Sequence, residues 1–154
     1  MSAGVYNIEI EQGGDYALAV TYKDSAGLVF DLSSGYTALM NIKESYLDTS
    51  AIDSLTTASG EITLSNGIGT TSTGTITVDT SQSVVTVTIS SGEHGFVAGD
   101  FISISIQPNI SLDVGHGTTA AYDFSQAFYD LELSQASTNA KVLRGKVNLV
   151  RELN

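Results

Sequence analysis

Apolar and polar residues alternate with a period of two through most of this chain, the spacing that turns one face of a β-strand toward a core. Tyr6 to Ile10 opens the series, and Gln12-Gly13-Gly14-Asp15 turns it. Tyr16 to Tyr22 sets Tyr16, Leu18, Val20 and Tyr22 on one face. After the turn Lys23-Asp24-Ser25-Ala26-Gly27 the chain resumes at Leu28-Val29-Phe30, then breaks at Ser33-Ser34-Gly35. Tyr36 to Lys43 alternates again, with Tyr36, Ala38, Met40 and Ile42 on one side, although Leu39 interrupts the polar side. Further strand-like runs are Glu61 to Leu64, Thr75 to Val78, Val84 to Ile89, Phe101 to Gln107, Phe128 to Leu133 and Val142 to Leu153. Asn66-Gly67 and Ser91-Gly92-Glu93-His94-Gly95 are breakers, and Ser134 to Ala140 links the last two runs. Residues 44–60 admit two readings: a weak helix start at Ser50-Ala51-Ile52-Asp53, or a loop with a short edge strand. Gly67 to Gly74 reads as a hairpin tip. The longest gap, Pro108 to Ala121 around Gly115-His116-Gly117, reads as a loop of the kind that binds or assembles. About ten short strands with frequent turns predict an all-β fold, an antiparallel β-sandwich of Ig-like or jelly-roll-like kind, in a single domain spanning residues 1–154.

Composition agrees with that reading. Charged residues make up only 15% of the chain and hydrophobic ones 42%, too apolar for a disordered tail. Polarity comes from 20 serines and 17 threonines, which belong with strands and turns. The net charge of −11 repels phosphate backbones and anionic lipid, so neither nucleic acid nor a membrane is an expected partner. Four of the six basic residues (Lys141, Arg144, Lys146 and Arg151) fall in the last 14, where they could meet an acidic neighbouring copy or form a solvated hairpin face. The absence of cysteine excludes disulfides, thiolate catalysis and Cys-based metal sites, and fits assembly in a cytoplasm. The first residues lack the basic and apolar regions of a signal peptide.

Candidate chemistry is sparse. His94 and His116 sit beside glycines in expected turns, and no Gly-x-Ser-x-Gly elbow exposes a nucleophile. Gly67-x-Gly69 leads to Ser72, so it is no dinucleotide fingerprint. Asp130 and Glu132 share a strand face about 7 Å apart, an outward polar stripe rather than a glycosidase pair. Asp100, Asp113 and Asp123 border the expected loop without the spacing of a calcium loop. Thr75-Ile76-Thr77, Thr86-Val87-Thr88 and Ser103-Ile104-Ser105 put hydroxyls outward, as a solvated sheet face does. Tyr122, Phe124, Phe128 and Tyr129 form an aromatic cluster suited to packing, or to a sugar platform. No catalytic residue, metal or cofactor is expected.

The order of short motifs carries a resemblance. Gln12-Gly13-Gly14-Asp15 precedes a strand ending in Asp24-x-x-Gly27; Asp31-Leu32-Ser33 leads into Tyr36 to Lys43; and Phe128-Tyr129-Asp130-Leu131-Glu132-Leu133 is followed by Val142-Leu143-Arg144-Gly145-Lys146-Val147-Asn148-Leu149-Val150. This order resembles small β-sandwich modules of bacteriophage virion proteins: the N-terminal domain of upper-baseplate and receptor-binding-adaptor proteins, and related tail and neck components. Gly14 is an insertion in the usual Gln-Gly-Asp turn, and residues 108–127 are longer than that pattern. The chain ends where such proteins often continue into a fibre or a second domain, and the expectation is a stand-alone adaptor or decoration rather than a fibre. The resemblance implies a structural virion protein, made in the host cytoplasm, that binds copies of itself and neighbouring virion proteins by exposed edges. A capsid decoration protein and a glycan-binding module are the alternatives. It also implies that Gly27, Asp31, Tyr129, Asp130, Leu131 and Gly145 define the fold. Gly27, Gly35 and Gly145 suit backbone with positive φ. Asp31 and Asp130 suit acceptors at strand ends, and Tyr129 and Leu131 are expected to point opposite ways.

Overall fold

The computed structural model describes residues 2–69, 76–79, 86–89 and 105–151. The chain is mostly strand: β1 (Gly4–Val5), β2 (Ile8–Glu11), β3 (Tyr16–Val20), β4 (Thr37–Lys43), β5 (Asp53–Thr56), β6 (Ile62–Leu64), β7 (Ile68–Gly69), β8 (Ile76–Asp79), β9 (Thr86–Ile89), β10 (Ser105–Ile106), β11 (Ile110–Val114), β12 (Gln126–Gln135) and β13 (Thr138–Val150). The described helix, α1 (His116–Ala120), has five residues. The expectation of an all-β chain holds.

Two sheets carry the core. In the first, β5, β4, β12 and β13 are antiparallel neighbours, and β1 and β2 lie one after the other along the far side of β13, parallel to it. The second is antiparallel in the order β3-β11-β6. The alternation read from the sequence sets the faces. Ala38, Met40 and Ile42 on β4 are buried, as are Ala127, Tyr129, Leu131 and Leu133 on β12 and Val147 and Leu149 on β13. They join Ile62, Ile110, Leu112 and Val114 of the second sheet in one cluster, with Tyr16, Leu18 and Val20 packed against it. Each large side chain so buried contributes roughly 1.5–3 kcal/mol.

The β12–β13 hairpin is longer than the runs that announced it. Gln135 pairs with Thr138, so only Ala136 and Ser137 turn the chain, not the whole stretch from Ser134 to Ala140. Ala136 adopts φ 51°, left-handed backbone that costs an alanine about 1 kcal/mol or more. Ala136→Gly will therefore raise stability by about 0.5–1 kcal/mol after its own entropic cost, read as a higher urea midpoint at unchanged slope. The register shifts where Leu131 faces Leu143 but Glu132 faces Lys141, leaving Val142 as the extra residue of a bulge. The bulge lets even-numbered Val142 and odd-numbered Val147 and Leu149 all be buried.

One sequence expectation changes, and one open alternative is decided. The gap from Pro108 to Ala121 is not a loop: it holds β11, the central strand of the second sheet, followed by α1. Ile110, Leu112 and Val114 alternate inward as any strand would. Flanking Pro108 and Gly115-His116-Gly117 disguised them. Residues 44–60 hold the edge strand β5 and no helix at Ser50–Asp53. The chain leaves β6 through β7 and returns through β10 to β11. β7 pairs with β10 and β8 with β9, and among the described residues none of these four pairs with either sheet. His94, Asp100, the breaker at 91–95 and the stretch 70–75 lie outside the described residues.

Candidate functional site

The strongest local constraint is where the N-terminal strand crosses β13. Tyr6 N–H donates to the Arg144 carbonyl at 2.9 Å, and Lys146 N–H donates to Asn7 Oδ1 at 3.0 Å. The Tyr129 hydroxyl, carried on the neighbouring β12, donates to the Tyr6 carbonyl at 2.7 Å. Gly145 makes this crossing possible. A Cβ there would lie 1.9 Å from the Tyr6 carbonyl oxygen. Its role is close approach of two backbones; it is absent from the positive-φ glycines, contrary to expectation, whereas Gly27 (φ 82°) and Gly35 (φ 76°) do adopt positive φ.

The other motif residues divide. Asp31 accepts from Ser33 N–H at 2.9 Å, the local turn expected of it. Asp130 is not at a strand end: it sits mid-β12, facing outward, and takes Lys141 as its partner. That hydrogen bond, with the charge of Asp130, holds the Lys141 ammonium above its ordinary pKa. Tyr129 and Leu131 point the same way, both into the core, because residues two apart share a strand face. Tyr122 and Phe124 are buried with ring centroids 5.4 Å apart, so they pack rather than form a platform.

The register shows what the basic residues meet. Lys141, Arg144 and Lys146 share the outer face of the first sheet. Lys43, which sequence reasoning passed over, joins them, since Phe128 is flanked by Lys43 and Lys146. Tyr46 lies over Phe128 with centroids 4.5 Å apart. Glu9, Glu11, Asp130 and Glu132 are on the same face, so four carboxylates share it with the four cations and their formal charges cancel. Arg151 is apart from them and pairs with Asp123 at 2.7 Å.

Where β3 and the N-terminal strand run past one another, an open groove of about 460 Å³ is lined by Gly4, Val5, Tyr6, Leu143 and the stretch from Leu18 to Thr21. Val5 is 70% exposed and Tyr6 53%. No charged side chain lines it. A smaller recess of about 130 Å³ lies among Tyr22, Phe30, Tyr36, Leu133 and Ala140, where Tyr22 and Phe30 stack at 5.2 Å. Beside it, Asn109 is buried. Its Oδ1 accepts from Tyr22 N–H at 2.7 Å, and its Nδ2 donates to the carbonyls of Tyr22 and Phe30 at 3.0 and 2.8 Å. Nothing in the sequence singled it out.

Reactive groupings are few. His116 opens α1, exposed, with its N–H donating to Asp15 Oδ1 at 2.7 Å. Asp113 is exposed on β11. Among the described residues no three of His, Asp and Glu gather as a metal site would need. The largest displacements of protonation fall on phenols. Burial, with Tyr6 nearby, pushes the Tyr16 hydroxyl up to about 12. Burial raises Tyr122, helped by its hydrogen bond to Asp53 at 2.7 Å, and raises Tyr129. In the unfolded chain these phenols ionise near 10. The folded state therefore keeps protons that the unfolded state sheds, and stability intact below pH 10 falls as pH rises toward 12. The urea midpoint will drop across that interval, and less steeply in Tyr129→Phe.

Comparison with protein-family models, curated proteins and solved structures found no match to this chain.

Proposed function

We propose that this chain is a structural virion protein of a bacteriophage, an adaptor or assembly module of the tail, baseplate or neck. In this reading its two sheets face each other as an antiparallel β-sandwich in one domain, and it acts by binding copies of itself and neighbouring virion proteins, without catalysis. The observation that carries the reading is the uncharged edge of β3 beside an apolar groove. An edge of that kind is an open template for another chain. The order of motifs from Gln12 to Val150 supplies the virion context.

Gold-labelled antibody against the chain will decorate purified particles of a phage that carries this sequence, at the tail or its ends. Label over the capsid shell would make it a decoration protein. Protein found only in the soluble fraction, never on particles, would overturn the virion reading. A glycan array is expected to stay blank, and sugar binding there would favour a glycan-binding module.

A further inference from the structure

The run from Tyr16 to Tyr22 has no charged residue in a chain of net charge −11. β3 pairs with β11 on one side, and among the described residues no strand pairs with its other side. Backbone groups along a strand point alternately to its two sides. The Val20 carbonyl accepts from Asn109 N–H at 3.1 Å, and both backbone groups of Tyr22 bond the Asn109 side chain, so even-numbered residues face β11. The N–H and C=O of Ala17, Ala19 and Thr21 consequently face the open edge. Asp15, Ala17, Ala19, Thr21 and Lys23 are exposed, while Tyr16, Leu18 and Val20 are half-buried. Edges are usually guarded by charge, proline or a bulge, and β3 has none of these.

The sequence of this edge is complementary to itself. Antiparallel pairing centred on Ala19 sets that residue opposite its own copy, Ala17 opposite Thr21, and Asp15 opposite Lys23. The two-fold axis makes the last pair twice, once at each end. A slip of two residues sets Asp15 opposite Thr21 or Lys23 opposite Ala17, and the charge pairing is lost. Asp15 Oδ1 is engaged by the His116 amide, which positions the carboxylate and leaves Oδ2 for a lysine. Lys23 has no ion-pair partner among the described residues. On the inner side, Leu18 of each copy would face Val20 of the other, over the groove that now exposes Val5 and Tyr6.

We infer that two copies of this chain pair through β3, antiparallel about Ala19, joining their second sheets into one six-stranded sheet β6-β11-β3-β3-β11-β6. This deepens the assembly reading and rests on its premise that the chain binds itself.

Sedimentation equilibrium on the full chain will give a species of twice 16.1 kDa, or an oligomer with an even number of chains. Ala19→Lys places like charges directly opposite each other on the axis and will weaken association at least about tenfold. Ala19→Pro removes the outward donor at the same place, where an edge tolerates proline, and will do the same with an unchanged thermal melt. Asp15→Lys and Lys23→Asp will each weaken association, and the double variant, which rebuilds both pairs with the charges exchanged, will restore it. A wild-type chain still monomeric at about 100 µM, well above the Kd of a specific interface, would overturn the inference. So would an oligomer indifferent to the Ala19 variants and the charge exchange. Either failure leaves the virion reading to the labelling of particles, which does not depend on this edge.

Discussion

Alanine at position 145 will detach the N-terminal strand from β13 and cost the protein about 3–5 kcal/mol. The added methyl group would stand 1.9 Å from the Tyr6 carbonyl oxygen and 2.7 Å from its carbon, both backbone atoms that no rotamer change can move. Relief requires the strand to lift. Lifting breaks the bond from Tyr6 N–H to the Arg144 carbonyl and the bond from the Tyr129 hydroxyl to the Tyr6 carbonyl. Each bond is worth about 1 kcal/mol, and a buried hydroxyl left without a partner adds about 1–3. Tyr129→Phe removes one of these bonds without forcing the backbones apart, so it will cost only about 1–2 kcal/mol. Urea unfolding measures both, and hydrogen exchange at residues 4–8 will rise in Gly145→Ala but little in Tyr129→Phe. A loss below about 1 kcal/mol in Gly145→Ala would show that the crossing is not held there.

Asn109→Ala will cost a similar amount for a different reason. Asn109 is 1% exposed, and its side chain acts as a portable peptide group. It satisfies the N–H and C=O of Tyr22 and the C=O of Phe30, while its own backbone bonds Val20 and Ser65. Truncation removes three bonds to backbone groups; the Tyr22 carbonyl keeps the Phe30 N–H at 3.1 Å, and the other two bonds are worth about 1–3 kcal/mol each, with some relief from water reaching the exposed side of the turn. A total of about 3–5 kcal/mol is a large part of the 5–15 that holds a typical domain together. Asn109→Asp keeps the acceptor for Tyr22 N–H but aims a carboxylate at two carbonyls. It will be less stable at pH 7 than at pH 4, where the protonated acid can donate. Equal stability of wild type and Asn109→Ala would refute the role.

Much of the fold was legible wherever one strand face alone is buried. β3 and β4 were read with the correct inward residues because alternation needs only the sequence, whereas Tyr129 and Leu131 of β12, expected on opposite faces, share the inner one. β11 was missed because it is short and lies between Pro108 and a Gly-His-Gly segment, both strong loop signals. Yet Pro108 precedes the strand and takes nothing from its ladder. Register was invisible throughout. Without it, Lys141, Arg144 and Lys146 looked like a positive cluster, whereas Glu9, Glu11, Asp130 and Glu132 share their face. The same limit hid why position 145 needs glycine: Gly145 was expected at positive φ, whereas its role depends on which strand passes it. The candidate edge was half legible: Tyr16 to Tyr22 is visibly uncharged, but only pairing reveals that one side of β3 lies open.

The parallel ladder between β2 and β13 binds the order of synthesis to the order of folding. Asn7 and Lys146, which it brings together, are 139 residues apart in the chain. At roughly 5–20 residues per second, a ribosome needs about 7–28 s to cover that interval. Until then Ile8 and Ile10 have no β13 to pair with, and the inner face of β12 lacks its neighbour. The first sheet is thus completed only after β13 has been made, which leaves a nascent interval of open apolar surface for a chaperone to guard.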